Sequence, residues 1–219
     1  MTAFGNGENI APMILVGQYD SPFVRRVAVS LRVLGFAYDH DTSSVFGDFA
    51  AIRRVNPLGR VPSLVLDDGE TLIDSAAILD WLDQSVGPDR VLIPPAGRDR
   101  RRALHRIALA TGAIDKIGAA TYERLIRPPA HRWPEWIERC RIQGTGAIEA
   151  LAAEPWPIDA PLDQAQITTA CMIRYVRIAD PELIPAGRYG ALDGLSARCE
   201  ATAEFAATYP AEYVVPRSG

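Results

Sequence analysis

The chain has 219 residues, 23% of them charged, and a formal net charge of −4; this length holds two small domains or one large one. The acidic balance argues against nucleic acid as the main partner, and no apolar run approaches the ~20 residues of a membrane helix. Three cysteines (Cys140, Cys171, Cys199) and three histidines (His40, His105, His131) are scattered, a spacing that suggests neither a disulfide frame nor a metal site and predicts buried free thiols in a reducing cytoplasm.

Residues 1–12, MTAFGNGENIAP, lack the basic start and apolar core of a secretory signal and read as a loose polar tail. Residues 13–18 are a buried strand. Ser21-Pro22 pairs an N-cap with proline at the first helical position. Val24, Val27, Ala28, Leu31 and Leu34 recur at three and four until Gly35, which predicts a helix over 22–34 with Arg25, Arg26 and Arg32 largely outside. A second strand is expected over 36–41 and a short, weak helix over 46–55. Residues 61–66 and 70–73 read as strands joined at Asp68-Gly69, a strong hairpin signal. Asp74 stands at the N-cap of a helix begun by Ala76, Ile78, Leu79 and Leu82, ending near Gly87-Pro88.

Residues 88–97, PDRVLIPPAG, form a linker, because three prolines and a glycine forbid a continuous helix. From Arg98 the pattern is helical. A long helix is marked by Leu104, Ile107, Ala108, Gly112, Ile114, Ile117 and Leu125, and is broken by RPPAHRWP. Trp136, Ile137, Cys140, Ile148 and Leu151 mark the next, broken by EPWPIDAP. Asp163 with Gln166 makes an acidic capping box before ITTACMIRYVRI. A last helix is expected over 189–207. The fold class is therefore α/β plus all-α. Residues 13–87 form a βαβαββα domain with a right-handed parallel start, and residues 98–219 an all-helical domain.

The hairpin suggests a binding edge. Pro62 cannot donate to a ladder, so its strand edge is open, and Val61 before it is pushed towards extended geometry. The Val61 N–H and C=O can then pair with a peptide-like ligand. The helix N-terminus at Asp74 offers N–H groups to a carboxylate. One edge for a peptide and one pocket for its carboxylate describe a site for a small acidic peptide.

The string NPLGRVPSLVLDDGETLIDSAAILDWL resembles the glutathione-binding segment of the glutathione S-transferase superfamily, and the order of elements extends the resemblance to nearly the whole chain. It implies a thioredoxin-like N-terminal domain, a cis Val61–Pro62 bond, and a helical domain that contributes an electrophile pocket. DSPFVRRV resembles the serine-type active-site loop, where a serine hydroxyl favours the glutathione thiolate. Ser21 is thus the candidate catalytic residue beside its plain role as an N-cap, with Tyr19 the rival donor. The resemblance places Val61, Asp74 and Ser75 on glutathione. It leaves Arg60 open between the glycyl carboxylate and solvent, and Tyr122, Trp133 and Trp136 open between an electrophile pocket and core. No cysteine stands near Ser21, which excludes mixed-disulfide chemistry there. The function implied is that of a cytoplasmic transferase, a homodimer acting in detoxification. Glutathione is its co-substrate, a small electrophile its other substrate, and no metal is needed. A glutathione-dependent isomerase or peroxidase, or a non-catalytic glutathione-binding or protein-interaction module, are the alternatives on the same fold.

Overall fold

The computed structural model describes residues 13–157 and 159–210; the expected polar tail over 1–12 lies outside them. Four strands, β1 (Met13–Val16), β2 (Tyr38–Asp41), β3 (Ser63–Val65) and β4 (Thr71–Ile73), form one mixed sheet in the order β2-β1-β3-β4. β1 and β2 are parallel, with Ile14 opposite Asp39. β3 runs antiparallel to both β1 and β4, with Leu64 opposite Leu15 and Leu72. The β3–β4 turn is built as its letters demand: the Asp68 carboxylate accepts from the Glu70 N–H at 2.8 Å, and Gly69 takes φ +87°.

Helix α1 (Pro22–Leu34) crosses between the parallel strands, capped by Ser21 and closed by Gly35 at φ 80°. Helix α2 (Phe49–Val55) is shorter than expected. The Asp48 carboxylate accepts from the Ser44 N–H, and the Asp48 N–H donates to the Ser44 carbonyl, so the preceding residues close into a turn instead. Helix α3 (Ser75–Val86) follows β4 directly. The connection after it is anchored by Asp83, whose carboxylate accepts from the Leu92 and Ile93 N–H groups at 2.8 and 3.0 Å.

The helical part comprises α4 (Gly97–Leu125), α5 (Pro134–Ala152), α6 (Gln164–Ala179), α7 (Gly190–Glu200) and α8 (Ala203–Ala206). The capping box of α6 forms as its sequence predicts, with Gln166 N–H on the Asp163 carboxylate at 2.7 Å and Asp163 N–H on the Gln166 side chain at 3.0 Å. The single last helix expected over 189–207 is instead two. Thr202 interrupts it by donating its hydroxyl to the Cys199 carbonyl and accepting the Phe205 N–H, the start of a new helix.

Most of the buried apolar side chains form one cluster that runs from Leu15 of β1 through Ile167 of α6 to Phe205 of α8. Helix α1 lies inside it, packed against α3, α6 and α8. That placement overturns one expectation: Arg25 and Arg26 are not outside but 1% and 2% exposed. The three cysteines are free and buried, as expected, and burial pushes the Cys171 and Cys199 thiols up to about 12. Among the described residues no helix is long and apolar enough to cross a membrane.

Candidate active site

The end of β1 comes close to the loop before β3, and Gly17 permits it. Gly17 sits at φ +124°, and a Cβ there would lie 2.7 Å from the Val61 Cβ. The Val61–Pro62 bond is cis, as the resemblance implies. Buried Asn56 shapes the loop: its side-chain amide donates to the Arg60 carbonyl at 2.9 Å and its oxygen accepts from the Leu58 N–H at 3.0 Å.

Beside this loop a cavity of about 490 Å³ opens between the sheet domain and the helices. Ser21, Arg60 and Val61 line it from one side, and Ile114, Asp115, Tyr122 and Tyr175 from the other. Phe46 packs edge-on against Tyr122 at its rim, ring centroids 5.8 Å apart. Ser21 is both an N-cap and a cavity residue. Its Oγ accepts from the Val24 N–H at a long 3.4 Å, which leaves the hydroxyl proton available to a ligand.

Tyr19 is placed differently. Its ring stacks on His40 at 4.0 Å and its hydroxyl is hydrogen-bonded to that of Tyr38 at 2.9 Å, outside the cavity lining. Burial, then the Tyr38 hydrogen bond, pushes its pKa up. Tyr122 is a cavity residue, whereas Trp133 and Trp136 stack on each other in a separate surface depression with Glu123 and His131.

Asp74 and Ser75 stand at the N-terminus of α3, beyond the cavity lining. Asp74 is the one non-glycine residue with positive φ among the described residues, at 70°. Its carboxylate accepts from the Ala76 N–H at 2.8 Å. Ser75 is 4% exposed, and its Oγ accepts two bonds from Arg26, from Nε at 3.1 Å and Nη2 at 2.7 Å. Both bonds use lone pairs of the serine, so its own proton is left to donate elsewhere. The third guanidinium nitrogen of Arg26, Nη1, is buried with no hydrogen-bond partner among the described residues. Among the described residues no carboxylate pairs with this cation directly. Desolvation draws its pKa down to about 10, opposed chiefly by the charge of Asp74.

Arg26 is the residue that the sequence reading missed. The signal was an Arg-Arg doublet inside an otherwise apolar run, PFVRRVAVSL, too long for a helix with one wet face. Among the described residues no group of three or more His, Cys, Asp or Glu is placed to hold a metal.

A mixed four-stranded sheet in a βαβαββα order, with a cis-proline just before β3 and a helical domain packed against it, defines the class: a two-domain protein on a thioredoxin-like base. The family model of the glutathione S-transferase N-terminal domain matches residues 15–90. A glutathione transferase family member from Pseudomonas fluorescens Pf-5, solved with bound glutathione, is 33% identical with a TM-score of 0.78, covering 90% of this chain and 98% of that one. A glutathione S-transferase from Methylobacterium radiotolerans, solved with glutathione sulfonate, is 27% identical with a TM-score of 0.86, covering 95% and 100%. A maleylacetoacetate isomerase from Pseudomonas aeruginosa is 28% identical over 209 residues, 91% of this chain and 93% of that protein. The chain belongs to the glutathione S-transferase superfamily.

Proposed function

We propose that this chain is a glutathione transferase: it binds glutathione between the Val61 edge and the N-terminus of α3 and activates the thiol at Ser21 for attack on a small electrophile. Arg26 is the observation that carries this reading. A guanidinium buried beneath a serine at a helix N-terminus, bonded to that serine and to no carboxylate among the described residues, adds its positive charge to that terminus and favours an anion there. The γ-glutamyl carboxylate supplies one. Ser75 donates to it, α3 adds its dipole, and Asp74 lies near for the α-amine. The extended part of the peptide runs along Val61, with Arg60 at its glycyl end, which brings the cysteinyl sulfur to Ser21. The Ser21 hydroxyl and the positive end of α1 then favour loss of the thiol proton to solvent. The thiolate attacks an electrophile held against Ile114, Phe46 and Tyr122.

In this reading residues 13–87 hold glutathione, 88–97 link, and 98–219 shape the electrophile pocket. The chain acts as a cytoplasmic homodimer in detoxification. The buried unpaired cysteines fit a reducing compartment. Isomerisation is the second reading, favoured by similarity to the isomerase from Pseudomonas aeruginosa over 91% of the chain. It uses the same thiolate, which adds to a cis double bond and leaves after rotation.

Glutathione titration followed by calorimetry tests the first step, and absence of binding overturns it. Turnover against a panel holding aryl halides, organic peroxides and a cis-enedioate then separates transferase, peroxidase and isomerase. Binding without any turnover would mark a non-catalytic module.

A further inference from the structure

Arg25, the neighbour of Arg26, points away from the glutathione site and is held by the far end of the chain. Its Nη1 and Nη2 donate to the two carboxylate oxygens of Glu200, both at 2.7 Å. Nε donates to the Thr208 carbonyl at 3.0 Å, and Nη2 also reaches the Phe205 carbonyl at 3.2 Å. The Phe205 and Tyr209 rings lie 5.1 and 5.7 Å from the guanidinium carbon. The group is 1% exposed.

A buried ion pair of this kind gains little net stability over packed apolar side chains, because desolvation offsets attraction. What directed bidentate bonds supply is orientation. The Arg25 main-chain N–H donates to the Ser21 carbonyl at 2.9 Å, so the same residue closes the first turn that Ser21 caps. Arg26 ties the next position of that turn to Ser75 of α3. The start of α1 is thereby held from two directions, by the glutathione-binding helix and by the C-terminal segment.

We propose that Arg25 is a positioning residue: through it the segment Glu200–Thr208 sets where the Ser21 hydroxyl stands in the cavity. The inference rests on the assignment of Ser21 as the thiol's partner. It makes Glu200–Thr208, a stretch that contributes no residue to the cavity lining, a determinant of thiol activation.

The test is the thiol pKa of glutathione bound to the full-length chain, read from thiolate absorbance across pH, for wild type, Glu200→Gln and Arg25→Lys. Ile148→Val, a core trim in α5 away from α1 and the site, serves as the destabilised control. Each variant is checked for folding by circular dichroism. Either latch variant, Glu200→Gln or Arg25→Lys, is expected to raise the thiol pKa by about half to one unit, roughly a three- to tenfold smaller acid dissociation constant. Glutathione affinity is expected to change less than about threefold, and the control to keep the wild-type pKa. Folded latch variants with the wild-type pKa would overturn the proposal, as would an equal shift in Ile148→Val. A wild-type protein that binds glutathione without lowering its thiol pKa would overturn the Ser21 assignment itself, a failure visible before any variant is compared. Should Glu200→Gln not fold, Arg25→Lys, which keeps the charge but loses the fork, decides alone.

Discussion

Two substitutions separate binding from activation. On the proposed reading Ser21→Ala removes one hydrogen bond to a charged sulfur, on the order of 1.5–3 kcal/mol, or about one to two pKa units. Turnover near neutral pH is expected to fall roughly ten- to a hundredfold and to recover in part as pH rises and thiolate forms unaided. Affinity should hold, and melting should drop by no more than the loss of an N-cap, about 1 kcal/mol. Arg26→Met acts in the opposite sense. It removes the cation beneath the carboxylate site, and glutathione affinity is expected to weaken by on the order of 2 kcal/mol, roughly thirtyfold. Thermal stability should change little, because losing a buried charge with no direct ion-pair partner among the described residues offsets losing its two bonds to Ser75; calorimetry and melting together check both. Ser21 and Val61 were legible because each belongs to a local motif, Ser-Pro at a helix start and Val-Pro at a strand edge. Arg26 was not, since its partner is Ser75, 49 residues away. Nor was Arg25, whose partner Glu200 is 175 residues away. Periodicity shows which face of a helix is apolar. It does not show that a second layer covers the other face.

At the scale of the element, the tight point is the contact between α4 and α5. A Cβ on Gly144 of α5 would lie 2.4 Å from the Ile117 Cδ1 of α4. Gly144→Ala is therefore expected to cost about 1–3 kcal/mol through overpacking, a fall of roughly 2–10 °C in melting temperature. Adding Ile117→Val, which removes the nearest atom but keeps Cγ1 at 2.9 Å, should restore part of it; a double-mutant cycle by thermal melts measures the coupling. Neither residue lines the cavity, so glutathione affinity should not follow. The long helices were readable from three-and-four spacing, and α6 from its capping box, because those signals are local. The break at Thr202 was overlooked although Thr202 followed by Ala-Glu-Phe is itself a helix-start pattern. The apolar spacing continued across it and masked the cap.

The whole molecule leaves large apolar side chains uncovered. Phe49 and Leu58, 51% and 68% exposed, stand on the sheet domain, and Leu104, 41% exposed, stands on α4. A two-fold pair that sets one subunit's sheet domain against its partner's helices would cover both groups. Light scattering at micromolar concentration is expected to give twice 23.9 kDa, and Leu58→Asp to shift the mass towards one chain; a wild-type monomer would count against the pair. Composition and charge speak only to what such a surface is not built for, and the exposed groups became visible once the chain was folded. The buried cysteines have a consequence for the transferase proposed above. Cys140, Cys171 and Cys199 are at most 1% exposed, and the last two are held as unreactive thiols at neutral pH. On that reading the chain's own cysteines are kept from an incoming reagent, and the thiol that meets it is the one borrowed from glutathione, so that injury falls on a molecule released after every turnover.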